Sequence, residues 1–347
     1  MFRVLALFVA ALLLASCGGD RDSPSPRYPE LVSFGDSLSD VGTYRVGTVQ
    51  ALGGGRYTVN GSSARNWVEY VAADMGVPDL CAARTGLDGS AAQGFAVPPT
   101  SHPECTAYGQ GGARVTNPIG PGNKALGGGN AILGQLTEPV VNQIGMHLAR
   151  RGGRFSGSEL VTILAGGNDV FMNIALVGSG QQTPDQAVQA MAVAGSELGT
   201  LVREEIVGRG ATRVVLLLLP DLSASPFGNA LGPQLQALVL QMVQAFNASL
   251  RVGLDLPSVL IVDTFSYSQD QIRNPAQYAL DNVTVPACNL TPAANPLGSA
   301  LICTTATLQT GSDPTRYLFA DSVHPTPIGY RLTAQFVLIR MLQRGWR

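Results

Sequence analysis

Short apolar runs alternate with longer amphipathic segments along most of this chain, and this alternation restricts the fold more than any other feature. The apolar runs, each short enough to be a buried strand, lie at residues 31–34, 160–164, 213–219 and 259–262. Apolar residues recur at helical spacing in segments 64–75, 132–151, 184–207, 233–254 and 328–342. Strands that alternate with helices form βαβ crossovers, so we predict an α/β fold whose parallel sheet is covered on both faces. Residues 30–347 show no clear linker, which predicts a single domain.

The first sixteen residues have the pattern of an export signal. The charge of Arg3 is followed by twelve apolar residues, a run too short to cross a bilayer. The run ends in Leu-Ala-Ser-Cys at residues 14–17, which resembles the lipobox of bacterial lipoproteins, where the cysteine becomes the acylated first residue. We therefore predict a signal peptide at residues 1–16, lipidation of Cys17 and a proline-rich tether at residues 17–29. The protein would then be an outer-membrane lipoprotein or lie at the cell surface or in the periplasm. The alternative is an ordinary cleavage site without an anchor.

The cysteine count agrees with an anchor, because five is an odd number for an exported protein. Lipidation of Cys17 leaves Cys81, Cys105, Cys288 and Cys303, which fall into two local pairs within glycine- and proline-rich stretches. Of the three pairings that four cysteines allow, we predict the local disulfides Cys81–Cys105 and Cys288–Cys303. An exported compartment permits these bonds. Four reduced and buried thiols are the alternative.

Charged side chains are scarce in this chain. They make up 13% of the residues, against about a quarter in a typical domain, and the formal net charge is −2. A surface of this kind does not attract nucleic acid or an anionic membrane. It suits a small-molecule or lipid substrate without charge, and we expect a monomer. The 41 glycines lie mainly between elements and predict long loops, above all at residues 76–130 and 274–315.

A serine lies where the first predicted strand gives way to a helix. The apolar run breaks at Gly35 and Asp36, and serine, present at Ser37 and Ser39, favours helix N-termini. A hydroxyl at this switch lies at the carboxyl edge of the sheet, where open α/β folds bind ligands. A helix N-terminus there also favours negative charge. Ser37 is therefore a candidate nucleophile, although Gly-Asp-Ser is also common in turns without a function.

Asp321 and His324 are candidate partners for this serine. They are three residues apart, so one turn can direct both side chains the same way. The carboxylate can then accept the imidazole Nδ1–H and leave Nε2 to take a proton from the serine. The alternative is a capping aspartate beside a surface histidine. His102 and His147 have no carboxylate in such a register, so we set them aside. No further His or Cys lies at ligand spacing from this pair, and we expect neither a metal nor a cofactor.

An ester hydrolase also needs N–H donors for the oxyanion that forms during the reaction. Asn168 offers a side-chain amide after two glycines. Gly112, in the stretch Tyr-Gly-Gln-Gly-Gly-Ala-Arg at residues 108–114, offers a backbone N–H that no side chain shields. Each of the two segments, taken alone, is also an ordinary turn or loop.

The order of these blocks resembles that of the GDSL, or SGNH, hydrolase family. The matching stretches are Phe-Gly-Asp-Ser at 34–37, Gly-Gly-Ala at 111–113, Gly-Gly-Asn-Asp at 166–169 and Asp-Ser-Val-His-Pro-Thr at 321–326. Lesser similarities to the lecithinase-like branch are Pro-Asp-Leu at 220–222, Phe-Asn at 246–247, Asn-Pro at 274–275 and Cys288. The resemblance extends from about residue 31 to residue 345.

The resemblance implies a flavodoxin-like, three-layer α/β/α sandwich and metal-free ester hydrolysis through an acyl-serine. By matching position, Ser37 is the implied nucleophile, His324 the base and Asp321 the residue that orients it. The backbone N–H groups of Ser37 and Gly112 and the side chain of Asn168 form the implied oxyanion hole. Residues 35–39 lack the second glycine of the Gly-x-Ser-x-Gly elbow, which disfavours the α/β-hydrolase fold.

We therefore expect an exported, lipid-anchored serine esterase or lipase that cleaves carboxylic acyl esters. A polysaccharide O-acetyl esterase is an alternative, because the family also includes such enzymes. A non-catalytic surface lipoprotein, which uses the sandwich as a binding module, is a second alternative. The presence of both Ser37 and His324 argues against that second alternative.

Overall fold

The structure, a computed structural model, describes residues 28–347. The predicted signal peptide, Cys17 and residues 17–27 of the predicted tether lie outside the described residues. Tyr28, which the sequence assigned to the tether, is buried in the main core, and its hydroxyl donates a hydrogen bond of 2.8 Å to the carbonyl of Trp346. Tyr28 therefore packs with the domain that the sequence predicted to begin at residue 30.

The described residues contain six strands. They are β1 (Leu31–Gly35), β2 (Arg84–Asp88), β3 (Ala96–Ser101), β4 (Leu160–Leu164), β5 (Val214–Leu217) and β6 (Val259–Val262). The central sheet is parallel with the order β1-β4-β5-β6, whereas β2 and β3 form a separate antiparallel pair. Every residue of β1, β4 and β5 is buried, which requires helices on both faces of the sheet.

A short segment extends the sheet beyond β1. The Ser33 N–H donates to the Thr106 carbonyl at 3.0 Å, and the Tyr108 N–H donates to the Ser33 carbonyl at 2.7 Å. Among the segments of this sheet, the short segment is the second in chain order, after β1 and before β4. Because it lies beside β1 at the edge, the order across the sheet is 2-1-3-4-5, as in flavodoxin-like folds. The predicted α/β/α sandwich with a parallel, flavodoxin-like sheet is confirmed.

The helices cover the sheet and connect its strands. They are α1 (Gly47–Ala51), α2 (Trp67–Asp74), α3 (Gly128–Leu133), α4 (Val140–Arg150), α5 (Gly167–Gly178), α6 (Pro184–Thr200), α7 (Pro226–Ala230), α8 (Pro233–Leu250), α9 (Thr264–Arg273) and α10 (Pro327–Gln343). Helix α6 continues as a π-helical segment at Leu201–Val207. Helix α2 packs against α10, and α6 packs against α8. Among residues 28–347, no helix is both long enough and apolar enough to cross a membrane.

The helix predicted at residues 132–151 is shorter in the structure, because α4 begins only at Val140. Pro139 precedes it and disfavours helical backbone at Glu138, so the apolar periodicity cannot run through this point as one helix. Thr137 has a φ of 49°, which also lies outside the right-handed helical region. Residues 128–133 form the separate helix α3.

Two of the helices that were not predicted, α5 and α9, each follow a strand of the sheet. Helix α5 begins in the Gly-Gly-Asn-Asp stretch, for which the sequence predicted no helix. Helix α9 follows β6, and the Asp263 side chain caps it by accepting the Ser266 N–H at 3.0 Å. The loop expected at residues 76–130 contains the β2–β3 hairpin, so it is less irregular than predicted.

Both predicted disulfides are present. Cys81 is bonded to Cys105 and Cys288 to Cys303, with Cα–Cα distances of 5.1 and 6.0 Å. The second bond lies in a small buried cluster beneath the loops near the C-terminal end of the chain.

Candidate active site

The nucleophile predicted at Ser37 follows β1, where Gly35 bends the chain. The φ of Gly35 is 150°, and a Cβ there would lie 2.2 Å from the carbonyl oxygen of Leu164, so only glycine fits. The buried amide of Gln143 fixes the same residue. It accepts from the Gly35 N–H at 2.9 Å and donates to the Gly35 carbonyl at 2.8 Å. These contacts hold the start of the serine loop against the ends of β1 and β4.

Ser37 does not begin the helix that the sequence predicted. It begins a single 3₁₀ turn, Ser37–Ser39, and the residue that caps this turn is Asp36, which accepts the Leu38 N–H at 3.0 Å. A turn of three residues has little dipole of its own. Individual N–H groups, rather than a helix dipole, must therefore stabilise any negative charge that forms beside Ser37.

The structure brings Ser37, His324 and Asp321 together in the predicted order. The Ser37 hydroxyl lies 2.8 Å from Nε2 of His324, although 287 positions separate the two residues in the chain. Nδ1 of the same ring lies 2.9 and 2.8 Å from the two carboxylate oxygens of Asp321. An ionised carboxylate can only accept hydrogen bonds, so it places a proton on Nδ1 and leaves Nε2 to accept from the serine.

The backbone around Asp321 keeps this carboxylate charged. Oδ1 accepts the N–H groups of Val323 and His324 at 3.0 and 2.8 Å, and Oδ2 accepts the Ala300 N–H at 2.7 Å. Burial opposes ionisation, but the imidazole of His324 and these N–H groups together hold the pKa of Asp321 below its ordinary value. Ala300 lies three residues before Cys303, so a disulfide-bonded loop supplies one of the donors.

An aromatic ring that the sequence analysis missed packs on the histidine. The ring of Tyr57 lies against that of His324 with a centroid distance of 4.7 Å and an angle of 35° between the planes. The Tyr57 hydroxyl accepts a hydrogen bond of 2.8 Å from the side chain of Gln135, and its carbonyl accepts one of 3.1 Å from the Tyr330 hydroxyl. Tyr57 therefore restricts the orientation of the imidazole, and no local sequence motif marks it for this role.

The three predicted oxyanion donors lie around one cleft with His324. Among the described residues, the backbone N–H groups of Ser37 and Gly112 donate no hydrogen bond to another backbone group. Asn168 lies in the first turn of α5, and its amide donates one hydrogen bond of 2.8 Å to the Ala113 carbonyl. That bond fixes the side chain and leaves its second N–H available. The site thus offers three donors to a negatively charged oxygen.

Two buried aspartates link the blocks that carry these donors. Asp40, three residues after the candidate nucleophile, accepts the Gly111 N–H at 2.9 Å and so ties the serine loop to the glycine loop. Asp169, next to Asn168, accepts the Val115 N–H at 3.1 Å and pairs with Arg114 at 2.8 Å. Asp169 occurs in one of the sequence blocks and Asp40 follows another, but their role as links could not be deduced from spacing.

The two histidines that were set aside lie away from this site. His102 contacts the Thr85 hydroxyl at 2.9 Å, and His147 is buried against the ring of Phe155 with a centroid distance of 4.6 Å. Burial lowers the pKa of His147 to about 4. Among residues 28–347, no group of three or more His, Cys, Asp or Glu side chains is arranged to hold a metal ion.

Asp36 gives this site a pH-dependent stability that can be measured. Burial raises its pKa from 3.8 to about 7, against the opposing hydrogen bond from the Leu38 N–H. Between these two pH values the folded protein keeps a proton that the unfolded chain has lost, so the free energy of unfolding falls as the pH rises. At about 1.36 kcal/mol for each pKa unit, Asp36 accounts for a loss of about 4 kcal/mol between pH 4 and pH 7.

The variant Asp36→Asn isolates this effect, because its amide oxygen can still accept the Leu38 N–H but cannot ionise. We expect its free energy of unfolding, measured in urea, to rise relative to that of the unchanged protein by about 4 kcal/mol from pH 4 to pH 8. An equal difference between the two proteins at both pH values would show that Asp36 ionises normally in the fold.

Comparison with known proteins places the chain in a family. The family described as "GDSL-like Lipase/Acylhydrolase" matches residues 31–337. The chain belongs to this family. The resemblance drawn from the four sequence blocks is thereby confirmed, and the match spans the site from Ser37 to His324.

The family includes curated relatives of similar sequence. Esterase EstA of Pseudomonas aeruginosa is 29% identical over an alignment of 371 positions, which covers 97% of this chain and 50% of EstA. The chain therefore spans half the length of that relative. A GDSL esterase/lipase of Arabidopsis thaliana is 28% identical over 131 residues, which cover 35% of each chain.

The solved structures to which the chain is similar are more distant in sequence. A mutant of Axe2, described as an acetyl-xylooligosaccharide esterase from Geobacillus Stearmophilus, is 14% identical with a TM-score of 0.42, over 90% of this chain and 94% of that chain. LAE5, described as an α/β hydrolase enzyme from the metagenome of Lake Arreo, is 13% identical with a TM-score of 0.43, over 92% and 95% of the two chains.

Proposed function

We propose that this chain is a carboxylic ester hydrolase that works through an acyl-serine at Ser37. The observation that carries the proposal is the continuous contact from Asp321 through His324 to the Ser37 hydroxyl, with distances of 2.8 Å on both sides of the imidazole. Family membership supports the same reaction class. The unpaired N–H groups of Ser37 and Gly112 beside this hydroxyl support it as well.

In the first half of the reaction, the Ser37 oxygen bonds to the acyl carbon while its proton passes to Nε2 of His324. The carbonyl oxygen becomes an oxyanion, which accepts from the N–H groups of Ser37, Gly112 and Asn168. Each such donor is typically worth about 2.7–4 kcal/mol in the transition state. The carbon–oxygen bond to the alcohol then breaks, and the alcohol leaves with the proton from His324.

In the second half, water attacks the acyl-serine with His324 again as the base. The acid is released and the Ser37 hydroxyl regains its proton, so no cofactor is consumed. Asp321 stabilises the imidazolium that forms in each half and keeps Nδ1 protonated. Tyr57 acts as a positioning residue, because its ring lies against the imidazole without reaching the reacting atoms.

We also propose that residues 28–347 form the catalytic domain of an exported lipoprotein. The apolar run at residues 4–15, the Leu-Ala-Ser-Cys ending and two disulfides support export. Acylation at Cys17, followed by a tether at residues 18–27, would hold the domain at a membrane surface. The mass of the N-terminal peptide tests the anchor, since an unmodified peptide or one that starts elsewhere would exclude it.

A covalent probe tests the acyl-serine directly. We expect an organophosphorus ester, such as a fluorophosphonate, to inactivate hydrolysis of p-nitrophenyl butyrate and to add its mass to the peptide that contains Ser37. The variant His324→Ala is the control and should react at least about 100-fold more slowly, because general-base assistance typically contributes about 10²–10⁴ in rate. A label on another residue, or ester hydrolysis that survives complete labelling, would contradict the proposal. A chain that neither hydrolyses esters nor takes up the probe would instead support the binding-module alternative.

A further inference from the structure

Two cavities meet at the proposed nucleophile and extend in different directions. Both are lined by Ser37, Asn168, Phe171, Val323 and His324. The smaller one, of about 90 Å³, continues into the fold and is called the inner pocket here. Its own lining is formed by residues that include Leu219, Leu222, Tyr267, Ile272, Leu318 and Phe319. The larger one, of about 550 Å³, is more open to solvent and is called the outer cleft, and its own lining includes Tyr57, Gly112, Asn130, Gln135, Leu297 and Ser322.

The two cavities differ in chemistry as well as in size. Aliphatic and aromatic side chains from several separate segments dominate the inner pocket. Asp221 also lines it, but one of its oxygens accepts from Ser223 and the other accepts from Gln269 at 2.8 Å, so its charge is already solvated by the protein. A larger share of the lining surface is polar in the outer cleft, to which the amides of Asn130 and Gln135 and the unpaired N–H of Gly112 contribute. An apolar chain gains more free energy in the inner pocket, and a polar group is better accommodated in the outer cleft.

We propose that the inner pocket is the acyl subsite, that it accepts a straight acyl chain of about four carbons, and that the outer cleft receives the alcohol. This assignment rests on the proposed acyl-serine mechanism. The alcohol leaves after the first half of the reaction and needs an open exit, which the outer cleft provides. The acyl group stays bonded to Ser37 until water attacks, and the inner pocket, which is less open to solvent than the outer cleft, can hold it through that step.

The size of the inner pocket sets the expected chain length. A cavity of about 150 Å³ in another protein holds benzene, with its six carbons, so a volume of 90 Å³ corresponds to about four carbons. Up to this length, each additional methylene of the acyl chain should raise kcat/KM by about fourfold, because its burial contributes about 0.8 kcal/mol. Butyrate esters should therefore be cleaved about 15-fold more efficiently than acetate esters. Longer chains should bring no further gain, because they cannot fit without displacing the lining.

The test is a series of p-nitrophenyl esters from acetate to dodecanoate, with kcat/KM measured for the unchanged protein and two matched variants. Ile272→Ala enlarges the inner pocket, and Leu297→Ala enlarges the outer cleft by a comparable truncation of a half-buried aliphatic side chain. We expect Ile272→Ala to raise the octanoate-to-butyrate ratio of kcat/KM by about tenfold, the value of one to two additional methylenes. Leu297→Ala should leave that ratio within about twofold of its original value. It should instead change the preference among butyrate esters of different alcohols.

A third variant narrows the inner pocket instead of enlarging it. Thr333 lies on α10 and lines only the inner pocket, so Thr333→Phe should lower the butyrate-to-acetate ratio by about tenfold. Thermal melting of each variant, followed by circular dichroism, shows whether it folds. Ratios between substrates are used because they do not change if only part of a preparation is active.

The outcomes separate this inference from the mechanism on which it rests. The inference is overturned if the unchanged protein prefers octanoate to butyrate, or if Leu297→Ala shifts the acyl preference and Ile272→Ala does not. In either case hydrolysis that depends on Ser37 still supports the acyl-serine mechanism. The absence of hydrolysis with every ester in the series would overturn both.

Discussion

Replacement of Ser37 by alanine is expected to abolish ester hydrolysis and to leave the fold intact. The Ser37 hydroxyl has His324 as its hydrogen-bond partner in the described structure, so its loss removes the attacking atom and little else. Loss of the nucleophile in serine hydrolases of this type costs about 10⁶ in kcat when the residual rate comes only from binding and the oxyanion hole. We expect a loss of at least about 10⁴, measured with p-nitrophenyl butyrate, and a melting temperature close to that of the unchanged protein.

The neighbouring serine provides a matched control for this variant. Ser39 lies in the same 3₁₀ turn, but its hydroxyl accepts from the indole N–H of Trp67 at 3.2 Å and does not line either cavity. We therefore expect Ser39→Ala to lower the melting temperature by a few degrees, for a lost buried hydrogen bond of about 1 kcal/mol, and to keep most of the activity. Residual activity above a few per cent in a normally folded Ser37→Ala would contradict the acyl-serine. Equal losses in the two serine variants would assign Ser37 a structural role.

The strands of the sheet could be predicted closely from the sequence because their burial is nearly complete. Strands β4 and β6 have the predicted bounds, because their apolar runs end close to Gly166 and at Asp263. Helix α10 was also predicted to within about one residue at each end. Helix α5 was missed because its first residues, Gly-Gly-Asn-Asp, favour a turn locally. Gly166, which precedes the helix, has a φ of 113°, outside the right-handed helical region. The apolar face of the helix then packs into the core.

Some residues of the candidate site could be predicted from local sequence, and others depend on the tertiary fold. Ser37, Asn168 and His324 occur in short blocks whose residue types are dictated by the chemistry, so they could be selected from the sequence. Tyr57 and Gln143 contact these blocks only through the tertiary fold, and nothing in their own neighbourhood marks them. The inner pocket is formed by residues from several segments far apart in the chain, so its volume could not be predicted from sequence.

Replacement of His324 by alanine is the second variant for which we expect a large effect, and it is best measured beside Asp321→Ala. Without the imidazole no base is in contact with the Ser37 hydroxyl, so His324→Ala should lose as much activity as Ser37→Ala. Asp321→Ala keeps both nucleophile and base and loses only the group that orients Nδ1. Its kcat should therefore stay about 10- to 100-fold above that of His324→Ala, as the milder loss of the aspartate in such triads indicates.

We expect the ranking of the two variants by stability to be the reverse of their ranking by kcat. This reversal distinguishes the role of Asp321 from that of His324. The Asp321 carboxylate accepts three backbone N–H groups, from Val323, His324 and Ala300. Its truncation leaves these donors unpaired in a buried region, at a cost of about 1–3 kcal/mol for each that water cannot reach. The imidazole of His324 has no such set of backbone partners, and its removal mainly uncovers the ring of Tyr57. We expect Asp321→Ala to have the lower melting temperature and the higher kcat of the pair. If Asp321→Ala were the less active of the two at a temperature where both are folded, His324 could not be the base, because the orienting residue would then matter more than the group that takes the proton.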